Sequence, residues 1–371
     1  MKTFVGLALV AVSACASQSS ECGTDDFAVW RMVPAFEPAS ATEGFSSAWT
    51  GDELLVWGGE HSGEIRGSGG RFRPISNTWK PIATAGAPSA RTRATAVWTG
   101  TEFIVWGGWD SSTSPLADGA RYDPAADRWT PMSATNAPHP RRDAIALWTG
   151  SEMLVVGGYQ DAPLASYSLL LDDGALYDPK TNAWRPVGAP YGVPVRPGEG
   201  ARGVWTGEEV VFWGATFDPA GQIGYDAGWA YSPTTQEWRT TAAANQPGMH
   251  EPAVAIASDR GVLVWGVDGA DYDRSAGGIY NPSTDSWNPL PPIDITTQFA
   301  LATDDGIIVS PDYGRSTGWS VAPRSGVAVP LPALGPAMWK PIAWTGSETI
   351  VWIDGANRGE PYAARLTLCD R

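Results

Sequence analysis

The tripeptide Trp-Thr-Gly occurs five times at near-regular distance: Trp49-Thr50-Gly51, Trp98-Thr99-Gly100, Trp148-Thr149-Gly150, Trp205-Thr206-Gly207 and Trp344-Thr345-Gly346. Each copy leads into a short apolar run that closes on Trp-Gly or a degenerate form, namely Val56-Trp57-Gly58-Gly59, Val105-Trp106-Gly107-Gly108, Val155-Val156-Gly157-Gly158, Phe212-Trp213-Gly214 and Val351-Trp352-Ile353. Two weaker copies fit the same frame between the fourth and the fifth. Ala257-Ser258-Asp259 leads to Val264-Trp265-Gly266, and Ala302-Thr303-Asp304 to Ile308-Val309-Ser310. The seven units start at 49, 98, 148, 205, 257, 302 and 344. Self-similarity at such a period means one supersecondary unit stacked repeatedly against its neighbours.

The units read as strands. With 43 Gly, 31 Pro and 20 Trp but only 18% charged residues, the 371-residue chain suits short strands and tight turns better than helices. Thr-Gly marks the hairpin between the first two strands, where Gly takes positive φ at little cost. A third and fourth element follow. Tyr122-Asp123-Pro124 precedes Trp129, Tyr177-Asp178-Pro179 precedes Trp184, Tyr231-Ser232-Pro233 precedes Trp238, and Tyr280-Asn281-Pro282 precedes Trp287, with Phe72-Arg73-Pro74 before Trp79 as a variant. A strand ending in Gly-Gly, then a Tyr, then a Trp, once per roughly 50 residues, resembles the Kelch repeat. The resemblance covers essentially everything after the N-terminal apolar segment and implies an all-β, seven-bladed β-propeller of four-stranded blades. The sixth unit departs from it, with Trp319 standing in place of the Tyr and no evident Trp following.

Closure follows from spacing. Trp30 precedes Trp49 by the same interval that separates Trp129 from Trp148, so residues 27–33 form a fourth strand with no blade before it. The last unit has three strands, near Ala343, at 350–352 and at 363–368. The N-terminal strand is therefore expected to complete the seventh blade and cover its edge.

The N-terminus reads as an export signal. Lys2 precedes an apolar stretch at residues 4–12, too short to span a bilayer. Val12-Ser13-Ala14-Cys15 resembles the bacterial lipobox, which implies lipid attachment at Cys15. Cleavage after Ala14-Cys15-Ala16 is the competing reading. Ala16, rather than Asp, resembles the outer-membrane sorting pattern, so the expected address is an outer-membrane or periplasm-facing lipoprotein of a bacterium. The organisation is then a signal peptide at 1–14, a tether at 15–26 and a single propeller at 27–369. Cys22 and Cys369 flank the closure in a compartment where disulfides persist, and they read as a pair. A bridge enclosing nearly the whole domain contributes about 5 kcal/mol in the chain-entropy model.

The net charge of -15 sets nucleic acid aside, because such binding relies on Lys and Arg displacing counterions from phosphate. The connections between strands two and three and from strand four to the next blade share one face, and loops on a rigid scaffold are where binding residues gather. That face is expected to carry Glu60, His61, Arg91, Arg93, Trp109, Asp110, Arg141, Arg142, Arg202, His250 and Glu251 around the axis. The longest unit adds a lip at residues 159–173 and 187–200, with Tyr159, Asp161, Glu199 and an apolar run at 169–171. A loop packed on its own blade is the alternative. Arg pairs carboxylates bidentately and Trp offers a flat apolar face, which suits an acidic sugar or a carboxylate-bearing peptide.

No cofactor is expected. Copper-radical oxidases are built on propellers of this type, but the cysteines here are assigned to export and closure. His61, His139 and His250 lack metal-ligand spacing. There is no Gly-x-Ser-x-Gly elbow, and Gly67-Ser68-Gly69-Gly70 lacks the Lys of a phosphate loop. The expected function is a non-catalytic, lipid-anchored envelope module binding a protein or glycan. The alternative is a periplasmic sugar-binding enzyme resembling a Kelch-type sialic acid mutarotase.

Overall fold

The computed structural model describes residues 28–368 except 42, 111–114, 162–167, 189–200, 215, 218–222, 225–227, 259, 269, 272, 296–298, 304–305, 311–316, 323–324, 326, 333–338 and 354–361, with backbone alone at 161, 168, 216–217, 223–224, 250–253 and 362. Seven four-stranded antiparallel meanders make up the fold. Blade 1 comprises Ser46–Trp49, Leu54–Trp57, Gly69–Arg73 and Thr78–Pro81, and blade 2 Thr95–Trp98, Phe103–Trp106, Gly119–Asp123 and Arg128–Pro131. Blades 3, 4 and 5 start with Ile145–Trp148, Arg202–Trp205 and Met249–Ser258. Blade 6 is Ala300–Ala302, Ile307–Val309, Trp319–Ala322 and Val327–Pro330. Blade 7 holds Trp339–Trp344, Glu348–Ile353 and Tyr362–Leu368, and Ala28–Met32 completes it, pairing Ala28 with Leu368 and Met32 with Ala364. The first strands touch one another in sequence and the seventh touches the first, so the ring closes around an axis. The described residues contain no α-helix.

The repeated residues build the ring. Trp57, Trp106, Trp213 and Trp265 are fully buried between blades. Two of them meet the fourth-strand Trp of the next blade edge-on: Trp129 lies 4.9 Å from Trp57, and Trp287 4.4 Å from Trp213. In blades 2 and 3 the fourth-strand indole N–H reaches back to the connection before its own blade, Trp129 Nε1 donating to Ala83 O at 2.7 Å and Trp184 Nε1 to Ser133 O at 2.9 Å. The Tyr hydroxyl does similar work. Tyr122 donates to Asp127 and Tyr177 to Asn182, each at 2.6 Å, and those side chains accept Ala83 N–H and Ser133 N–H. Asp127 and Asn182 sit at φ 47° and 53°, in the left-handed region that short Asx side chains tolerate.

A further periodic element, outside the sequence expectations, is a Glu four residues after each conserved Trp. Glu53, Glu102, Glu152, Glu209 and Glu348 donate their N–H to the Thr hydroxyl of the turn, at 2.8–3.1 Å. Their carboxylates hold Arg71, Arg121, Arg185, Arg239 and Arg365. Several of these guanidinium groups reach the next blade's turn, Arg71 donating to Pro124 O at 2.6 Å, Arg121 to Pro179 O at 2.8 Å and Arg365 to Pro74 O at 3.0 Å. Each is a charge-assisted staple across a blade interface.

Blade 6 corrects the alignment of Trp319. Ile307 pairs with Val321 as Phe103 pairs with Tyr122 and Val210 with Tyr231, so Val321 occupies the Tyr position; Val309 and Trp319 then match Val105 and Ala120, and Gly318 holds the glycine position. The glycine position is tight with or without a Trp opposite it: a Cβ on Gly228 would lie 2.5 Å from the Trp213 ring and one on Gly318 2.7 Å from Val309 O. Trp319 packs against Trp265, Val309 and Val321 between blades 5 and 6, the layer to which blades 2 and 5 bring a fourth-strand Trp.

Candidate functional site

The connections after strands two and four meet on one face. Thr92 bridges to Trp109, Arg142 to Tyr159 and Glu43 to Glu60 through their backbones. Inside this junction Gly44, Arg93 and Asp143 all take positive φ, 65°, 55° and 54°. Arg93 N–H donates to Gly44 O at 2.7 Å and Asp143 N–H to Arg93 O at 3.1 Å, so these residues link three blades around the mouth. A left-handed Arg costs on the order of 1 kcal/mol, an expense accepted where its side chain has a task.

Three residues expected at the site come together. The Arg142 guanidinium lies between two aromatic faces, 5.6 Å from the Trp109 centroid and 5.2 Å from Tyr159, and donates to Asp143 Oδ2 at 2.6 Å. Arg93 adds a contact to the same carboxylate at 3.4 Å and stays half-exposed. The result is a preorganised, partly apolar cationic shelf, held by stacking and one shared Asp. Beside it stands the hairpin Tyr159–Asp161 with Ser168–Leu170, on which Leu169 is exposed.

Arg91 and Arg141 do not belong to the surface. Both are fully buried, against the expectation that they line the rim. Arg91 donates from Nε to Ser89 O, from Nη1 to Gly107 O and Asp118 O at 3.0 Å each, and from Nη2 to Ser89 Oγ and the Asp118 carboxylate. Arg141 repeats this on the next blade, with Gly157 O at 2.9 Å, Asp173 O at 3.0 Å and Asp173 Oδ1 at 2.7 Å. Burial pulls both guanidinium groups below their usual pKa, with Asp118 and Asp173 opposing the shift. Burial alone would raise the Asp173 carboxyl, but Arg141 and then His139 outweigh it and hold it below the usual carboxylate range. A connection must bury its carbonyls next to the following blade, and an Arg fork satisfies two of them together. These two residues are struts.

The other expected residues scatter. Glu60 and His61 form a two-residue ladder with Glu64–Ile65, and Asp110 is half-buried beside Trp109. Arg202 opens the first strand of blade 4 rather than a loop, and His250 and Glu251 lie within the first strand of blade 5. Asp161 ends the blade 3 hairpin strand. Cys15, Cys22, Cys369 and Glu199 lie outside the described residues. Among the described residues no group of three or more His, Cys, Asp or Glu is placed to hold a metal ion. One residue missed in the sequence, Lys340 on the first strand of blade 7, sets its ammonium 4.9 Å from the Phe299 ring. Its signal was a long cation in a first strand whose counterparts are mostly small or apolar.

No curated protein matches the chain. The KLHDC2/KLHL20/DRC7 Kelch-repeats domain matches residues 44–266, more than half of the sequence and the first five blades almost to the end of the second strand of blade 5. The repeat, the seven-bladed architecture and this match agree: the chain belongs to the Kelch-repeat family.

Proposed function

We propose that the chain is a binding module tethered to the bacterial cell envelope through a lipid on Cys15, and that its long-loop face engages a protein or glycan partner without catalysis. A Kelch propeller is a scaffold for interaction, and its turn face is occupied by staples that leave little to grip. The observation that carries the reading is the shelf of Trp109, Arg142 and Tyr159, where two aromatic faces and a fixed cation stand together beside the exposed Leu169. Aromatic and Arg anchors dominate binding energy at interfaces, and stacking fixes this Arg before a partner arrives. The acidic chain is kept at the membrane by acylation in this account, since anionic headgroups repel it. A disulfide between Cys22 and Cys369 locks the closure.

The test is surface plasmon resonance of the full chain against envelope glycan fragments and purified envelope proteins. The reading expects saturable binding that falls at least tenfold in a Trp109→Ala, Tyr159→Ala double variant. Binding that is indifferent to those substitutions, or turnover of the bound molecule, overturns it. For the anchor, mass analysis of the mature N-terminus is expected to show acylated Cys15, and the mass of an unmodified chain cleaved after Ala16 contradicts it.

A further inference from the structure

The repeat supplies an internal control at the outer edges of the blades. In blade 2 the Met132 N–H donates inward to Gly119 O at 3.0 Å, so the N–H position of the residue before it points out of the sheet, and that residue is Pro131. The arrangement recurs in blades 1 and 6, where Ile82 N–H meets Gly69 O after Pro81 and Leu331 N–H meets Gly318 O after Pro330. Pro186 and Pro289 hold the matching register in blades 3 and 5, opposite Ala175 and Gly278. At this position proline loses no ladder bond and removes a donor from the edge, which guards a strand against pairing with another chain.

Blades 4 and 7 lack that proline. Thr241 N–H donates to Gly228 O at 2.9 Å after Thr240, and Val33 N–H to Ala363 O at 2.9 Å after Met32. The two open edges differ in their side chains. The outer strand of blade 4, Glu237–Thr240, begins on an exposed Glu and ends on an exposed Thr, a polar edge of the kind that resists pairing. That of blade 7, Ala28–Met32, holds no acidic residue and ends on Met32, which is 51% exposed. Val327, the other exposed apolar residue on an outer strand, shares its strand with Pro330. Trp30 fixes the blade 7 edge in place, its ring 5.5 Å from Trp339 and its indole N–H donating to Pro332 O at 2.8 Å.

We propose that the outer edge of blade 7 docks a second copy of the chain, with Ala28–Met32 pairing antiparallel with itself about a two-fold axis at Trp30. Because the Val33 N–H is directed inward, alternation along the strand turns the main-chain groups of Ala28, Trp30 and Met32 outward, where each can exchange hydrogen bonds with the other copy. In this register Ala28 of one copy faces Met32 of the other, which covers the exposed side chain, and Arg31 faces Val29. Charge selects both the occupant and the register. Copies of a chain of net charge -15 repel one another, and this edge has Arg31 as its one charge and sets no acid against acid. A two-fold at Arg31 would place the two guanidinium groups directly opposite each other, which destabilises a strand pair, whereas one at Trp30 keeps them apart. The edge lies on the circumference of the ring, away from Trp109, Arg142 and Tyr159, so the pairing is independent of what the long-loop face binds.

Sedimentation equilibrium of the full chain tests this, in a detergent matched in density to the solvent so that the protein mass alone is read. A dimer that dissociates on dilution is expected. Met32→Pro installs the residue of the protected blades without removing an inward bond, and is expected to weaken the association at least tenfold at an unchanged thermal midpoint. Met32→Lys leaves the backbone as it is and is expected to act in the same direction, so a fold lost in the proline variant does not shield the proposal. Thr240→Pro on blade 4 and the Trp109→Ala, Tyr159→Ala double variant are both expected to stay dimeric. A monomer at every concentration, an assembly larger than a dimer, association unmoved by both Met32 variants, or a dimer lost in Thr240→Pro each overturns the proposal.

Discussion

Blades 2 and 6 have the same four strands in the same order and reach the same shape with different side chains. Blade 2 has Trp106 on its second strand opposite Gly119, with Tyr122 and Trp129 paired beyond them. Blade 6 has Val309 opposite Trp319, and Val321 opposite Ala328 where the Tyr and Trp stand in blade 2. Blade 2 also receives the Arg91 strut and the Arg71 staple. What is conserved between them is a filled layer, not a set of residues. The aromatic residue that meets the preceding blade's Trp comes from the fourth strand in blade 2 and from the third in blade 6.

The comparison breaks most sharply at Arg91. Arg91→Met takes the Arg donor from Gly107 O, from the Asp118 carboxylate and from Asp118 O, which keeps only the Gly107 N–H, and is expected to cost about 3 kcal/mol, read as a lowered urea midpoint. A change below about 1 kcal/mol means that the fork is ornamental. Next in size is the exchange in blade 6. Trp319→Gly is expected to cost about 2 kcal/mol by opening a gap. Adding Ala328→Trp to it puts an indole on the fourth strand, where blade 2 has Trp129, and is expected to recover a measurable part of that loss. If the double variant is no more stable than the two single losses combined, the layer-filling account of blade 6 is wrong.

The smallest effect is one of pH. Burial, opposed by Arg121, pushes the Tyr177 hydroxyl up to about 12, whereas Val321 at the same register in blade 6 does not titrate. The folded state holds this proton more tightly than the unfolded chain does. The stability it contributes is therefore complete below about pH 10 and lost as the pH rises through about 12. Urea midpoints between pH 9 and 12 are expected to fall more steeply in the native chain than in Tyr177→Phe. Parallel curves contradict the assignment.

The ring was legible in the sequence because Trp, Gly and Tyr recur where the backbone leaves no choice of size. The N-terminal strand was legible from one interval, the one between Trp30 and Trp49, and its pairing with Tyr362–Leu368 has that origin. Arg91 and Arg141 were misplaced because a charged residue next to Gly-Pro-rich connections reads as solvent-facing. Burial of their guanidinium groups depends on carbonyls more than fifteen residues away in sequence, which no local pattern displays. The Glu–Arg staples were periodic and still escaped notice, since the Arg comes from the third strand in Arg71 and from the fourth in Arg185 and Arg239. Trp319 was assigned by its aromatic ring, although register, not residue type, decides which layer a strand residue enters. The shelf was half legible. Trp109, Arg142 and Tyr159 were each picked out, but that they stack depends on two bridges between connections.

The central claim is that the buried Arg struts of the repeat carry stability and the shelf of Trp109, Arg142 and Tyr159 carries binding. It is tested by thermal midpoints of the native chain, Arg141→Met and the Trp109→Ala, Tyr159→Ala double variant, each measured beside its affinity for the envelope glycan or protein that the native chain binds. The account predicts that Arg141→Met melts several degrees lower yet, below its midpoint, binds as the native chain does, whereas the double variant melts closer to the native chain and loses at least tenfold in affinity. A native midpoint in Arg141→Met, or native affinity in the double variant, contradicts it.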